Sequence, residues 1–327
     1  MLILLPFWFR NSWNQLAGQL LLYLRSKGAR MKILISGSHG LVGAALIKSL
    51  TADGHQFVLL VRHASSNSSE VEWDPNKGQH VHEKLEGIDA VIHLAGESIA
   101  SGRWTDEKKR AIRESRVKGT SLLSKALAQL SKPPSVFLSA SAIGYYGDRK
   151  DELLTETSAP GNDFLASVCV EWEKAASPAI AKGIRVVFTR FGVILDKKGG
   201  ALSKMLPPFR MGVGGKVGDG KQWMSWITLD DVVGSVKHVL GNAQIKGPVN
   251  VVAPNPVTNA EFTHALGKEL QRPTFLPVPA FGARLAFGEM ADALLLSSQK
   301  VEPKTLKETG YEFRHVTIDK ALHHVLS

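Results

Sequence analysis

The stretch from Lys32 to Ala52 constrains this chain more than any other. Residues 32–36 (Lys-Ile-Leu-Ile-Ser) form an apolar run of strand length; Gly37-Ser38-His39-Gly40-Leu41-Val42-Gly43 follows, and a helical pattern continues to Ala52. A strand that turns through glycines directly into a helix is the context of a dinucleotide-binding turn. Gly37 permits the tight turn, Gly40 lets backbone N–H groups approach a pyrophosphate, and Gly43 lets helix and strand pack closely. The helix start then offers unpaired N–H groups and a positive dipole end to the phosphates. Gly37, Ser38, Gly40, Leu41, Val42 and Gly43 are therefore assigned to a cofactor. The competing reading is a glycine turn that holds no ligand.

Further strands are expected over 56–61, 89–94, 135–138 and 184–190, with a helix over 105–130. Alternation of this kind predicts a doubly wound parallel (Rossmann) α/β sheet of about seven strands. Residues 31–195 would form it, with strands returning from the C-terminal half, and 196–327 would add a small α/β substrate lobe. The second strand ends in Val61-Arg62-His63. An NAD site usually places an acid there for the ribose 2′-hydroxyl, whereas Arg62 can pair with a 2′-phosphate, so NADP(H) is expected over NAD(H). The third strand runs into Leu94-Ala95-Gly96-Glu97, whose small residues let ribose and phosphate lie against backbone, with Glu97 as a polar group at the crevice. His93 reads as a core histidine. The fourth strand leads to Ser141, Tyr145 and Tyr146. Ser141 would orient a substrate, and either tyrosine would be the nearest phenol able to donate a proton; both could equally be wall packing.

Several short motifs then occur in order. They are the Gly-x-x-Gly-x-x-Gly turn, Trp73-Asp74-Pro75, Ala95-Gly96-Glu97, Arg103-Trp104, Ser115-Arg116 and Gly144-Tyr145-Tyr146-Gly147. Phe164 to Trp172-Glu173, Gly218-x-Gly220-x-Gln222-Trp223, Trp226-Ile227, Asn250 to Asn259 and Gly288-Glu289 follow. From Met31 to the end this resembles the extended, atypical short-chain dehydrogenase/reductases of the epimerase-family branch. That branch is nucleoside-diphosphate sugar epimerase-like and often labelled cell-division inhibitor. The resemblance implies that Arg116, in the place of the Asn in Asn-Val-x-Gly-Thr, lies on the helix face towards the cofactor. It implies that Ser141 polarises a substrate oxygen, and that the strand at Arg190 runs past the cofactor into the substrate lobe. It also exposes a departure. Extended reductases carry Tyr-x-x-Ser-Lys on the next helix; aligned on Ser167, this chain has Phe164 and Val168 at the two working positions. A phenyl ring cannot exchange a proton, and Val cannot tune a neighbouring pKa.

In the second half, glycines from Gly212 to Gly220 lead into Gln222 and Trp223, which are assigned with Arg190 to the substrate, and into Trp226, assigned to the core. Asp230 or Asp231 is expected to cap a helix over 232–240. Thr258-Asn259 would open another ending at Leu270, and helices are expected over 281–296 and 316–325.

The net charge is +10, of which four charges fall in the first thirty residues, where there is no acid; the remaining +6 is spread without Lys/Arg runs. That excludes a nucleic-acid stripe and suits an anionic small molecule. The lone Cys169 excludes an internal disulfide, the scattered histidines match no metal spacing, and a reducing cytoplasm is expected. The first thirty residues read as an upstream-start leader outside the fold. Their rival reading is an amphipathic surface anchor around Trp8 and Trp13, because no apolar run approaches the ~20 residues of a membrane span. Nothing in the sequence selects an oligomeric state.

Two functions follow. The first is an NADP(H)-dependent oxidoreductase or epimerase acting on a small polar, sugar-like substrate. The second is a non-catalytic NADP(H)-binding redox sensor or partner-binding protein, which the loss of the Tyr and Lys favours.

Overall fold

In strand β1 (Lys32–Ser36), Ile33 and Ile35 enter one apolar layer while Leu34 enters another. Both faces of the strand are buried, as in parallel sheets covered by helices on each side. The computed structural model describes residues 30–63, 67–77 and 82–327. Residues 1–29, on which the leader and anchor readings fall, lie outside the described residues. The sheet continues with β2 (Gln56–Val61), β3 (Glu70–Glu72), β4 (Ala90–His93), β5 (Val136–Ala142), β6 (Arg185–Phe191) and β7 (Gly247–Val251). Their order is β7-β6-β5-β4-β1-β2-β3, and every neighbouring pair is parallel. Helix α1 (Leu41–Ala52) covers one face through Leu46 and Leu50, joined by Val232, Val236 and Val239 of the Leu229–Gly241 helix. Helix α2 (Asp106–Gln129) covers the other face through Leu123 and Leu127.

The C-terminal half builds its own layer on buried Leu202, Leu206, Trp226, Phe262, Leu266 and Leu322. Short strands complete it and tie it to the rest: Trp223–Met224 pairs with Val257–Thr258 inside it, while Val193–Asp196 with Trp226–Thr228 and Leu153–Leu154 with Lys300–Val301 join it to the preceding half.

Three sequence expectations change. Strand β3 is not foreshadowed, because Glu-Val-Glu offers a single apolar residue, the buried Val71. The expected helix over 281–296 is broken: Ala280–Phe287 ends at Gly288, whose φ of 63° is left-handed, and Glu289–Ala291 and a π-turn Asp292–Leu296 follow. Thr228, not Asp230 or Asp231, caps the Leu229–Gly241 helix. Asp231 is instead buried, accepting from the Tyr311 hydroxyl and the Arg314 and His315 N–H groups and so tying down the chain before the last helix. Among the described residues no helix is long and apolar enough to cross a membrane, and no group of side chains could hold a metal ion.

Candidate functional site

The strand order reverses between β1 and β4, and in such sheets ligands bind outside the carboxyl ends at that point. The turn after β1 sits there. Gly37 has a φ of 72°, and a Cβ on it would come within 3.0 Å of the Leu94 carbonyl carbon. A Cβ on Gly43 would lie 2.2 Å from the Gly37 oxygen. A Cβ on Gly40 would meet only that oxygen, at 3.2 Å, so the space beyond is open. Gly40 begins α1 with no side-chain cap, leaving the first-turn N–H groups for a ligand. This cradle fits a diphosphate. Leu41 packs against Gly199 and Gly200, and the Ser38 hydroxyl bonds to its neighbour His39.

Beneath the cradle, Ser36 Oγ accepts from Leu94 N at 3.1 Å and Ala95 N at 3.2 Å, so its proton goes to His93 Nδ1 at 2.6 Å. His93 then carries its hydrogen on Nε2, which has no acceptor and lies beside the Trp73 ring, 5.8 Å between centroids. Burial pushes the His93 imidazole down to about 4. An unfolded histidine takes its proton near pH 6.5, so between pH 6.5 and 4 the unfolded chain binds the extra proton. Stability present above pH 6.5 is expected to fall by on the order of 3 kcal/mol by pH 4. Urea midpoints from pH 7 to 4.5 check this; His93→Leu should flatten the slope, and equal slopes would refute the assignment.

Arg62 is exposed just past β2, and among the described residues no ion pair takes up its charge. Glu97 donates no charge to a free site: its carboxylate pairs with Lys108 Nζ at 2.5 Å, and that hydrogen bond, with Arg62 and Arg116 nearby, lowers its pKa. Arg116, expected on the helix face towards the cofactor, reaches the loop after β4. Its guanidinium is largely buried against the Trp172 ring and donates to the carbonyls of Glu97 and Ile112, bracing the Ala95-Gly96-Glu97 loop.

The end of β5 holds the largest correction. Ser141 and Arg190 are register partners on β5 and β6, and each is 2 % exposed. Ser141 Oγ donates to Glu173 Oε1 at 2.8 Å, on helix α3 (Phe164–Lys174), and Arg190 grips the same carboxylate through Nε at 2.8 Å and Nη2 at 2.9 Å. Arg190 Nη1 donates to the Tyr146 hydroxyl, which donates to Asn250 Oδ1 at 2.7 Å. Tyr146 is fully buried, and burial pushes its hydroxyl up to about 12. Side chains alternate along a strand, so Ser139 and Ser141 share the face packed on α3. Ser141, Tyr146 and Arg190, all expected at the substrate, are thus consumed in one buried network. Cys169 lies close to it, and burial together with Glu173 raises its thiol to about 12.

Tyr145 is different. It is half-buried, the Arg190 guanidinium stands 3.5 Å from its ring centroid, and among the described residues no hydrogen bond takes up its hydroxyl. Phe164 is half-buried with the Trp104 ring edge-on at 5.5 Å and Lys109 Nζ 5.4 Å over its face, while Val168 is core. Gln222 and Trp223 are not free for a ligand either: Gln222 donates to the carbonyls of Val217 and Leu295, and Trp223 Nε1 donates to Asp151 at 2.8 Å with Lys300 over its ring. Trp226 is fully buried. The role of Glu173 has no counterpart among the sequence expectations, because its partners lie 17 and 32 residues away and leave no local spacing signal.

Comparison with known proteins agrees with this geometry. The model of the NAD dependent epimerase/dehydratase family matches residues 33–252, and that of a domain of unknown function (DUF1731) matches 278–325. The chain is 43% identical over 294 residues to epimerase family protein Mb2239 of Mycobacterium bovis, covering 90% of this chain and 97% of that one. The crystal structure of human epimerase family protein SDR39U1 with NADPH superposes with a TM-score of 0.83 at 33% identity, covering 90% of this chain and 99% of that one. A structure named nucleoside-diphosphate sugar epimerase, from Corynebacterium glutamicum, superposes at 0.76 with 40% identity, covering 93% of this chain and 60% of that one. With its glycine cradle, its NAD(P)-binding sheet and its own C-terminal segment, the chain belongs to the NAD dependent epimerase/dehydratase family, among the epimerase family proteins of the SDR39U1 kind.

Proposed function

We propose that the chain binds NADPH in preference to NADH and acts as an oxidoreductase or epimerase on a small polar, sugar-like substrate. The observations that carry this reading are the open glycine cradle after β1 and the half-buried phenol of Tyr145 after β5. NADPH supplies a hydride when bound; the chain's own residues have to bind it, orient the partner and move a proton. Gly37, Gly40 and Gly43 leave room for the diphosphate at the start of α1, and Arg62 is the cation available to a 2′-phosphate. Glu173 fixes Arg190, and Arg190 in turn fixes the ring of Tyr145, so the phenol is the proton donor the crevice offers. NADPH in the human relative's structure supports the cofactor choice, and the name of the Corynebacterium structure supports the substrate class.

Calorimetry with wild type and Arg62→Ala tests the cofactor assignment. NADPH should outcompete NADH, and Arg62→Ala should narrow the gap by ~1–3 kcal/mol, the scale of a charge-assisted hydrogen bond. Equal affinity for the two cofactors in wild type would overturn it.

A second reading has its own support. Ser141 and Tyr146 are locked away, and Phe164 and Val168 are apolar, which is what a non-catalytic NADP(H) sensor would tolerate. Tight NADPH binding without oxidation by a panel of carbonyls and nucleotide sugars favours the sensor.

A further inference from the structure

The family-specific C-terminal segment begins with a helix that is barely packed. Of the eight residues Ala280–Phe287, Ala283 alone is buried, while Phe281 is 73 % and Leu285 75 % exposed. Pro279 stands before it and Gly288, at a φ of 63°, ends it. A helix with so few apolar contacts draws little stability from packing and belongs to the parts of a structure that open most easily.

What holds it comes from the other side of the crevice. The loop after β4 carries Arg103, whose guanidinium donates to the Leu285 carbonyl, one of the carbonyls left without a partner where the helix ends. One turn into α2, Lys109 pairs with Glu289, just past Gly288, and the same ammonium lies over the Phe164 ring. Phe164 occupies the place where extended reductases carry their working tyrosine. A further strap crosses nearby, from Lys204 Nζ on the Gly200–Arg210 helix to the Ala100 carbonyl in that loop, at 2.5 Å. Three cationic side chains therefore join the nucleotide-binding half to the C-terminal half at the carboxyl ends of the strands, and one of them, Lys109, lies over Phe164. Arg284 and Asp292 pair across Gly288 at 2.9 Å, linking the helix to the first residue of the π-turn, and besides Ala283 the buried anchor of Ala280–Ala291 is Ala291, beside that turn.

We propose that Ala280–Ala291 is a lid over the reaction crevice, latched shut by Arg103 and by the Lys109–Glu289 pair, and that opening the latch sets the rate at which ligand leaves. Both links are partly exposed, so each is weak and sensitive to salt. A lid closed by weak links can open without unfolding anything beneath it. Its effect on cofactor release rests on the NADPH reading above; the lid itself does not.

The test therefore has two arms. In the first, hydrogen–deuterium exchange is followed without cofactor in wild type, Lys109→Glu, Glu289→Lys and the charge-swapped double variant. Exchange over 280–291 and over 96–105 should rise by on the order of tenfold in each single variant and return towards wild type in the swap. Exchange that is unchanged in the single variants, or not rescued in the swap, overturns the lid. In the second arm NADPH release is timed by its fluorescence. Release should quicken in the single variants and in Arg103→Ala, and slow again in the swap. Release that ignores the latch while exchange responds to it overturns the link to ligand exit. Failure of NADPH to bind at all removes the cofactor reading and leaves the first arm to decide the lid.

Discussion

Gly43→Ala is expected to lower NADPH affinity by at least about 100-fold, equivalent to about 2.7 kcal/mol, while leaving a chain that still folds. The added Cβ would sit 2.2 Å from the Gly37 oxygen and 3.0 Å from its carbon, and both are backbone atoms that no rotamer change can move aside. Relief requires α1 to shift off β1, which costs roughly 1–3 kcal/mol as overpacking. The shift also displaces the N–H groups that face the diphosphate, so binding falls more than stability. Gly241→Ala, where a Cβ meets nothing within 4 Å, is the matched control and should leave both unchanged. Fluorescence titration and urea unfolding of the two variants read the two effects separately. If Gly43→Ala bound NADPH within threefold of wild type, the cradle would not be the cofactor's seat.

The second large effect concerns the Arg190–Glu173 pair. Glu173→Ala is expected to cost about 3–5 kcal/mol of stability, because it strands a buried guanidinium and leaves the Ser141 hydroxyl without its acceptor. Burial opposes the charge on Arg190, but the hydrogen bonds and charge of Glu173 more than offset it and hold the guanidinium firmly protonated. With Glu173 gone that support is lost, but an arginine side chain is not deprotonated in proteins, so titration cannot relieve the stranded cation. Replacing both partners, as in Glu173→Leu with Arg190→Met, should cost clearly less than Glu173→Ala alone. Some loss will persist, since Tyr146 and the Glu156 carbonyl each lose a donor. Denaturant midpoints for the three proteins decide it. A Glu173→Ala variant within 1 kcal/mol of wild type would mean that water reaches Arg190 and that the network is not a closed core.

These two predictions differ in how visible their residues are in the sequence. Gly37, Gly40 and Gly43 act within one turn of chain, so their spacing is written consecutively and their job is legible in the order of residues alone. The same holds for β1, β2 and α1, and for Thr258, whose capping-box partner Glu261 is three positions on. Glu173, Ser141 and Arg190 come from α3, β5 and β6, and nothing in their local spacing says that they meet. Ser141 stands at a strand end, where a hydroxyl is expected to face a substrate. The alternation of β5 turns that hydroxyl inward instead, and the residue is 2 % exposed.

By itself the sequence determined the central strands of the sheet, their parallel winding, the cofactor cradle and the loss of the usual Tyr and Lys, since each is a local pattern of apolar period, glycine placement or residue identity. Only the tertiary structure decided which polar side chains face the crevice and which are spent in the core. It also decided that the C-terminal segment pairs, through Glu289, with the Lys109 that lies over Phe164. Those outcomes depend on contacts between residues from 17 to nearly two hundred positions apart, and burial, which decides whether a polar group is free or committed, is a property of the packed chain.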